Sequence, residues 1–342
     1  MGVAIGDLLV KEEIAFNDLA GKRLAIDAYN TIHQFLSIIR QPDGTPLMDS
    51  HGRVTSHLSG LLYRTAKFVE AGIQPCFVFD GKPPALKART TAERHAVRAE
   101  AKEKWAAALE KGDFEQARKH AQAAVSTTPE IVASSQELIE AMGIPHVQAP
   151  SEGEAQASFM CQRGDVYATA SQDYDALLFG SPVLVRNLAV TGKRKLPGRG
   201  IYVEVEPERI ELKATLSALG IKREALVEIG LMVGTDYNNG IPRVGPKTAL
   251  KLVQEGKKAE EVYREKGIEP DAPIEEVRSL FLKPPVTEDY SLEWKKPDVE
   301  QLFHILVDEH GFSRDRVEKA IHTLSEKLIQ TKEQSRLGEW FK

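Results

Sequence analysis

The sequence predicts an α/β fold with a central, mostly parallel sheet flanked by helices. Three short apolar runs support that expectation: residues 23–28 (RLAIDA), 75–80 (PCFVFD) and 165–171 (DVYATAS). Each is bounded by turn residues and separated from the next by helical periodicity, as strand–helix–strand crossovers require. The 342 residues have a formal net charge of −5 and only two cysteines, Cys76 and Cys161. That balance excludes a uniformly basic nucleic-acid coat, a disulfide framework and a cysteine-rich zinc site. No apolar run approaches membrane-spanning length, and Asp7, Lys11, Glu12 and Glu13 fall where a leader would be apolar. The expectation is a soluble cytoplasmic protein without membrane contact.

The remaining elements follow in order. Residues 85–125 are rich in Ala, Lys, Arg and Glu and favour helix. Their apolar stripe is mostly alanine, with Trp105, Leu109 and Phe114 as the large anchors, so these helices should dock weakly, as a lid or arch does. Ser151 and Glu154 have capping-box spacing at the mouth of a helix over 155–163. Residues 183–187 and 201–206 flank the basic turn 191–199, with Lys193, Arg194, Lys195 and Arg199, and are expected to pair as a hairpin. Residues 207–262 read as helical apart from the break at 240–246, and 267–298 as irregular and proline-rich. Amphipathic helices over 299–309 and 314–329 precede a polar tail.

The acids fall in a telling pattern. Asp27 and Asp80 end the first two strands, Asp173 and Asp175 follow the third, Glu152 and Glu154 open a helix, and Asp236 lies where another helix ends. Ligands of open α/β sheets bind beyond the carboxyl ends of parallel strands, so these side chains should converge on one edge. Seven carboxylates share a cleft only if cations neutralise them, and all-oxygen donors suit Mg²⁺ or Mn²⁺ in phosphodiester hydrolysis. An aspartyl-phosphate phosphatase would need an Asp at position 29, which is Tyr29. Taken singly, an Asp after a strand is as often a turn residue or helix cap.

The motifs Ile26-Asp27-Ala28, Phe79-Asp80-Gly81-Lys82-Pro83-Pro84, Ala149-Pro150-Ser151-Glu152-Gly153-Glu154-Ala155, Ser171-Gln172-Asp173-Tyr174-Asp175 and Gly234-Thr235-Asp236-Tyr237 resemble the flap endonucleases of the structure-specific 5′ nuclease superfamily. The likeness runs from residue 2 to 341. It implies a PIN-like 5′ nuclease fold over 1–330, with a catalytic core in 1–81 and 133–237. A helical arch would occupy 82–132, a helix–hairpin–helix 238–262, further helices 263–330, and a clamp-binding tail 331–342. It also implies that all seven acids bind two Mg²⁺ ions, with Mn²⁺ as a substitute. The implied activity is cleavage one step inside the junction of a 5′ flap, with 5′–3′ exonuclease activity, in Okazaki fragment maturation and repair. The implied substrates are branched DNA (5′ flap, nick and gapped duplex), cut by a monomeric catalytic unit.

Residues 82–104 hold seven basic and three acidic side chains in a chain that is acidic overall. Helical spacing places Lys87, Arg94 and Arg98 on one face, directly after Asp80. The resemblance assigns Lys87 and Arg94 to the scissile phosphate and makes the arch a passage for a single-stranded 5′ end. In the resembling hairpin 240–252, main-chain groups of Gly240, Ile241 and Val244 would hold K⁺, and Gly245 and Lys247 would approach a duplex phosphate. Two positions depart from the family: Arg243, usually Gly, which restricts the hairpin and adds a possible phosphate contact, and His33, commonly a base-stacking Tyr. At the end of the chain, Gln334, Leu337, Trp340 and Phe341 resemble the motif that plugs the sliding clamp PCNA. The chain stops one Lys later, which suggests an archaeal source.

Rival readings are a nick, gap or four-way-junction nuclease of the same superfamily, a non-catalytic DNA- or clamp-binding scaffold, and a PIN-type ribonuclease. The scaffold requires lost carboxylates. The ribonuclease would lack the hairpin and the clamp motif.

Overall fold

A computed structural model describes residues 2–195 and 202–340, with side chains at all of these except 193–195, 202–203 and 329–340. Its main sheet has seven strands: β1 (Lys11–Glu13), β2 (Arg23–Asp27), β3 (Gln74–Phe79), β4 (His146–Gln148), β5 (Ala168–Ala170), β6 (Val183–Arg186) and a strand at Glu208–Glu211. Between the last two in sequence lie β7 (Gly192–Lys195) and β8 (Tyr202–Val205), so Glu208–Glu211 is β9. The order is β1-β9-β6-β5-β2-β3-β4; the run from β6 to β4 is parallel, and β9 lies antiparallel to both β6 and β1. The parallel α/β core is therefore as the sequence predicts.

Alternation along the strands sets the faces. In β2, Leu24 and Ile26 enter the core cluster that contains the helices Ala28–Ile38, Ser56–Glu70 and Pro129–Ala141. Ala25 enters the opposite cluster with Cys76, Val78 and the helix Gly153–Gln162. The same alternation turns Asp27, one residue beyond Ile26, toward that second face.

Several elements differ from the sequence-based expectation. The two strands expected to form a hairpin around the basic turn, β6 and β8, do not pair with each other. β6 pairs with β9 and β5, whereas β8 pairs with β7. β9 (ERIE) has one buried side chain, and the polar β1 (KEE) none, so neither shows an apolar run. The 267–298 stretch contains a helix, Ile274–Leu282, anchored by Ile274, Val277 and Phe281. The first C-terminal helix widens to π geometry over His304–Glu309, and the last continues from Arg314 to Trp340, through the segment expected to be a tail.

The arch is two helices, Ala88–Glu110 and Phe114–Ala123, with Lys87 in a 3-10 turn just before the first. Their buried side chains are alanines, Ala101, Ala108, Ala117 and Ala121. Phe114 is not an anchor: it is 58% exposed, at the first position of the second helix. So small an apolar interface stabilises weakly.

Candidate active site

The carboxylates are placed by elements whose geometry is fixed by burial. Asp27, 6% exposed, caps the helix Ala28–Ile38 by accepting the Asn30 N–H at 3.0 Å. Asp80 follows β3, and its Oδ1 accepts the Gly153 N–H at 2.7 Å. Gly153 is required for this approach, since a Cβ would stand 2.7 Å from that oxygen. The expected capping box does not form. Instead the Ser171 hydroxyl lies 2.6 Å from Glu154 Oε1 and 3.2 Å from Asp27 Oδ2, and it accepts the Asp173 N–H at 3.2 Å. A tertiary hydroxyl thus replaces a local helix cap.

Other donors complete the floor. Asn30 Nδ2 donates to Asp173 Oδ2 (3.2 Å), the Gly2 N–H to Asp173 Oδ1 (2.9 Å) and the Val3 N–H to Asp175 Oδ1 (2.7 Å). The structure thus brings Asp27, Asp80, Glu154, Asp173 and Asp175 to one sheet edge. Glu152 and Asp236 close it from the arch side: Lys87 Nζ lies 2.7 Å from Glu152 Oε2 and 3.6 Å from Asp236 Oδ2, and Arg94 Nη2 is 2.5 Å from Asp236 Oδ1.

Burial and mutual repulsion show in the protonation of the acids. Desolvation, reinforced by Asp80 and Asp173, raises Asp27 to about 8. Desolvation and Glu152 bring Asp80 to about 6, and desolvation and Asp236 bring Asp175 to about 7. Glu154 is likewise raised well above its ordinary value, by burial first and then by Asp175, Asp173 and Asp27. Burial works to depress the Lys87 ammonium, but Glu152, Asp236 and Asp80 override it and hold it above the usual lysine value. A site that forces several acids toward the neutral form is short of positive charge.

Among the described residues, no three His, Cys, Asp or Glu side chains are gathered tightly enough to enclose an ion as they stand. The donor set nonetheless fits hard divalent cations: every candidate ligand is an oxygen, and the floor acids Asp27, Asp80, Glu154 and Asp175 are short of counter-charge.

The His33 imidazole is lowered from its ordinary value, first by burial and then by the positive charges of Arg98, the N-terminal amine, Arg94 and Arg40. Arg98, in turn, is lowered by burial and by Arg94. In the segment expected to form the hairpin, the helices Arg223–Val233 and Pro246–Gln254 are joined through Gly240 (φ +72°), whose Cβ would meet the Val233 carbonyl carbon at 2.4 Å. Ile241 and Val244 are buried, Gly245 caps the second helix and Lys247 is exposed in its first turn. Arg243 has φ +65°, a left-handed conformation that suits glycine. In the tail, the backbone at Gln334, Leu337 and Trp340 is helical and their side chains lie outside the described residues, as does all of Phe341. Arg199 and the side chains of Lys193, Arg194 and Lys195 also fall outside them.

Sequence reasoning missed Ser171, Asn30, Gly2 and Thr90. Ser171 had a signal, a polar residue closing a buried strand two places before Asp173. The contact of Gly2 with Asp173, across 171 positions, had none.

This fold and this edge of acids define a nuclease of the XPG class. The XPG N-terminal domain matches residues 5–101, and the XPG I-region matches residues 143–236. Flap endonuclease 1 of Pyrococcus abyssi is 53% identical over 342 residues, covering 100% of this chain and 98% of the relative. That of Methanosarcina barkeri is 54% identical over 341 residues, covering 100% of both. The solved flap endonuclease-1 from Methanococcus jannaschii superposes with a TM-score of 0.77 at 42% identity, over 96% of this chain and 99% of the other. The catalytic core of Rad2 in complex with a DNA substrate shares the fold at 24% identity and a TM-score of 0.67, over 94% of this chain and 97% of the other. The chain belongs to the flap endonuclease family. It is accordingly a metal-dependent, structure-specific nuclease of 5′ flaps.

Proposed function

We propose that Asp27, Asp80, Glu152, Glu154, Asp173, Asp175 and Asp236 hold two Mg²⁺ ions, replaceable by Mn²⁺, and that Lys87 and Arg94 serve the scissile phosphate. The observation behind this reading is the charge deficit of the floor, where Asp27, Asp80, Glu154 and Asp175 are all pushed toward protonation. When bound, such ions supply an activated water and stabilise the departing oxygen. The acids orient that chemistry and are themselves held by Ser171, Asn30 and the Gly2, Val3 and Gly153 peptides. Lys87 and Arg94 neutralise Glu152 and Asp236 in the DNA-free chain. With substrate present they turn to the phosphate and offset its developing charge.

Around this centre, residues 1–330 act as one nuclease unit that takes branched DNA, and the Rad2 complex with DNA supports that partner on a shared fold. Gly240, Ile241 and Val244 hold K⁺ at the hairpin, where Gly245, Lys247 and Arg243 meet the duplex backbone. Arg98 lines the path of the 5′ strand and His33 stacks on a base. Residues 331–342 tether the enzyme to the sliding clamp. The setting is replication and repair in the cytoplasm of an archaeal cell, with 5′–3′ exonuclease activity on nicks and gaps. Within the superfamily, a nick, gap or four-way-junction preference is the alternative.

A panel of labelled double-flap, nick, gap and four-way-junction substrates, with Mg²⁺ and with EDTA, tests both. The double flap should be cut fastest and EDTA should stop the reaction; fastest cutting of a four-way junction would favour the alternative. In the same assay, deletion of residues 334–342 should remove stimulation by the clamp and leave clamp-free cleavage unchanged. Retained stimulation would refute the tether.

A further inference from the structure

Asp271 stands in the loop between the helices Ala259–Glu265 and Ile274–Leu282, far in sequence from every residue assigned above. It joins two parts of the site. Its Oδ2 lies 2.5 Å from Arg89 Nη2, in the first turn of the arch helix, and its carbonyl accepts from Arg89 Nη1 at 3.4 Å. The same carboxylate accepts the Asn239 N–H, at 3.0 Å to Oδ2 and 3.3 Å to Oδ1. Asn239 lies between Asp236 and the tight Gly240, in the loop that joins the helices Arg223–Val233 and Pro246–Gln254. On that loop, the Thr90 hydroxyl also donates to the Asp236 carbonyl at 2.7 Å. The buried side chains of the first arch helix, Ala101 and Ala108, lie well beyond this turn. At its base, Leu86 packs against the core cluster that contains Tyr237, and the contacts of Arg89 and Thr90 add direction to that packing. An Arg–carboxylate pair fixes orientation as well as distance, because the guanidinium fork is planar and directional.

We propose that Asp271 is a positioning residue of the nuclease. By clamping Arg89 to the Asn239 peptide, it fixes the first turn of the arch on the loop that bears Asp236, and so sets where Lys87 and Arg94 stand over the carboxylates. This rests on the phosphate role proposed above for Lys87 and Arg94, and the experiment separates the two claims.

Two readouts on the full chain are needed: hydrogen exchange of the arch amides 88–98, and single-turnover cleavage of a double flap with Mg²⁺. Asp271→Ala should speed exchange over 88–98, leave β2 and β3 protected, and slow cleavage roughly tenfold to a hundredfold, the scale of a small misplacement. Arg89→Ala should do the same, and the double variant should be no slower than the slower single one. Asp271→Asn, which keeps an acceptor for the Asn239 N–H, should fall between Asp271→Ala and the parent chain. If Asp271→Ala also unprotects β2 and β3, the asparagine and arginine variants provide the test by the same readouts. Unchanged exchange over 88–98, a parental cleavage rate despite faster exchange, or additive losses would each overturn the proposal. An undiminished rate in Arg94→Ala would refute its phosphate role, whatever the exchange shows.

Discussion

The floor and the arch of this site are built by opposite means. The floor acids end buried strands or open a buried helix, and Asp27, Asp80, Asp173 and Asp175 each accept at least one main-chain N–H. Their positions follow from the sheet and from an apolar core on both its faces. Lys87, in the turn before it, and Arg94 belong instead to an arch helix whose buried side chains are alanines, and ion pairs hold them over the floor. One half is fixed by packing and the other by charge. Loss of a floor residue should therefore remove chemistry outright, whereas loss of an arch residue should grade it.

The sharpest break is at the floor. Asp80→Ala or Asp173→Ala should abolish Mg²⁺-dependent cleavage while junction binding, followed by fluorescence anisotropy, stays near that of the parent. Undiminished cleavage by either variant would refute the metal-site assignment. At the arch, Lys87→Ala and Arg94→Ala should each slow single-turnover cleavage roughly 10²-fold, the scale of losing one transition-state donor. An unchanged rate with weaker binding would make them ordinary backbone contacts.

A third comparison uses pH. Without metal, Asp80, Asp175 and Asp27 have values of about 6, 7 and 8 in the fold. These lie above the ordinary carboxylate value, so from about pH 4 to 8 these acids bind more protons in the folded chain than in the unfolded one, and their contribution to stability falls as pH rises. Together they outweigh the opposite contribution of the buried His57, lowered to about 4. The melting temperature in EDTA should fall from pH 5 to pH 8. Mg²⁺ should restore more of it at pH 8 than at pH 5, because its ligands must be deprotonated. A flat profile in EDTA would show that the acids are not short of counter-charge. The smallest effect belongs to the hairpin. Arg243→Gly relieves a left-handed φ but adds unfolded-state entropy, for a net gain below about 1 kcal/mol. Calorimetry should show a rise of about one to three degrees, and a fall would mean that the Arg243 side chain stabilises the loop.

The contrast also explains what was legible in the sequence. Asp27, Asp80 and the Asp173–Asp175 pair could be read because they close apolar runs whose burial needs no tertiary information. Ala-rich helices with surplus cations announced the arch. Unread were the features set by distant partners: the polar strand β9, which is a strand only because β6 and β1 flank it, and the hydroxyl of Ser171, which draws Glu154 away from a local cap. Phe114 was misread because apolarity reports what can be buried, not what is.

The strand order has a consequence for synthesis. Among the described residues, β1, the first strand made, pairs with β9 alone at residues 208–211, and Asp236 comes later still. While the ribosome extends the chain, the early strands can gather around β2 and β3, but the outer edge stays open and the set of acids incomplete. A nascent chain therefore lacks one of the proposed metal ligands until Asp236 has emerged. The proposed site is thus complete only after every strand of the main sheet has been made.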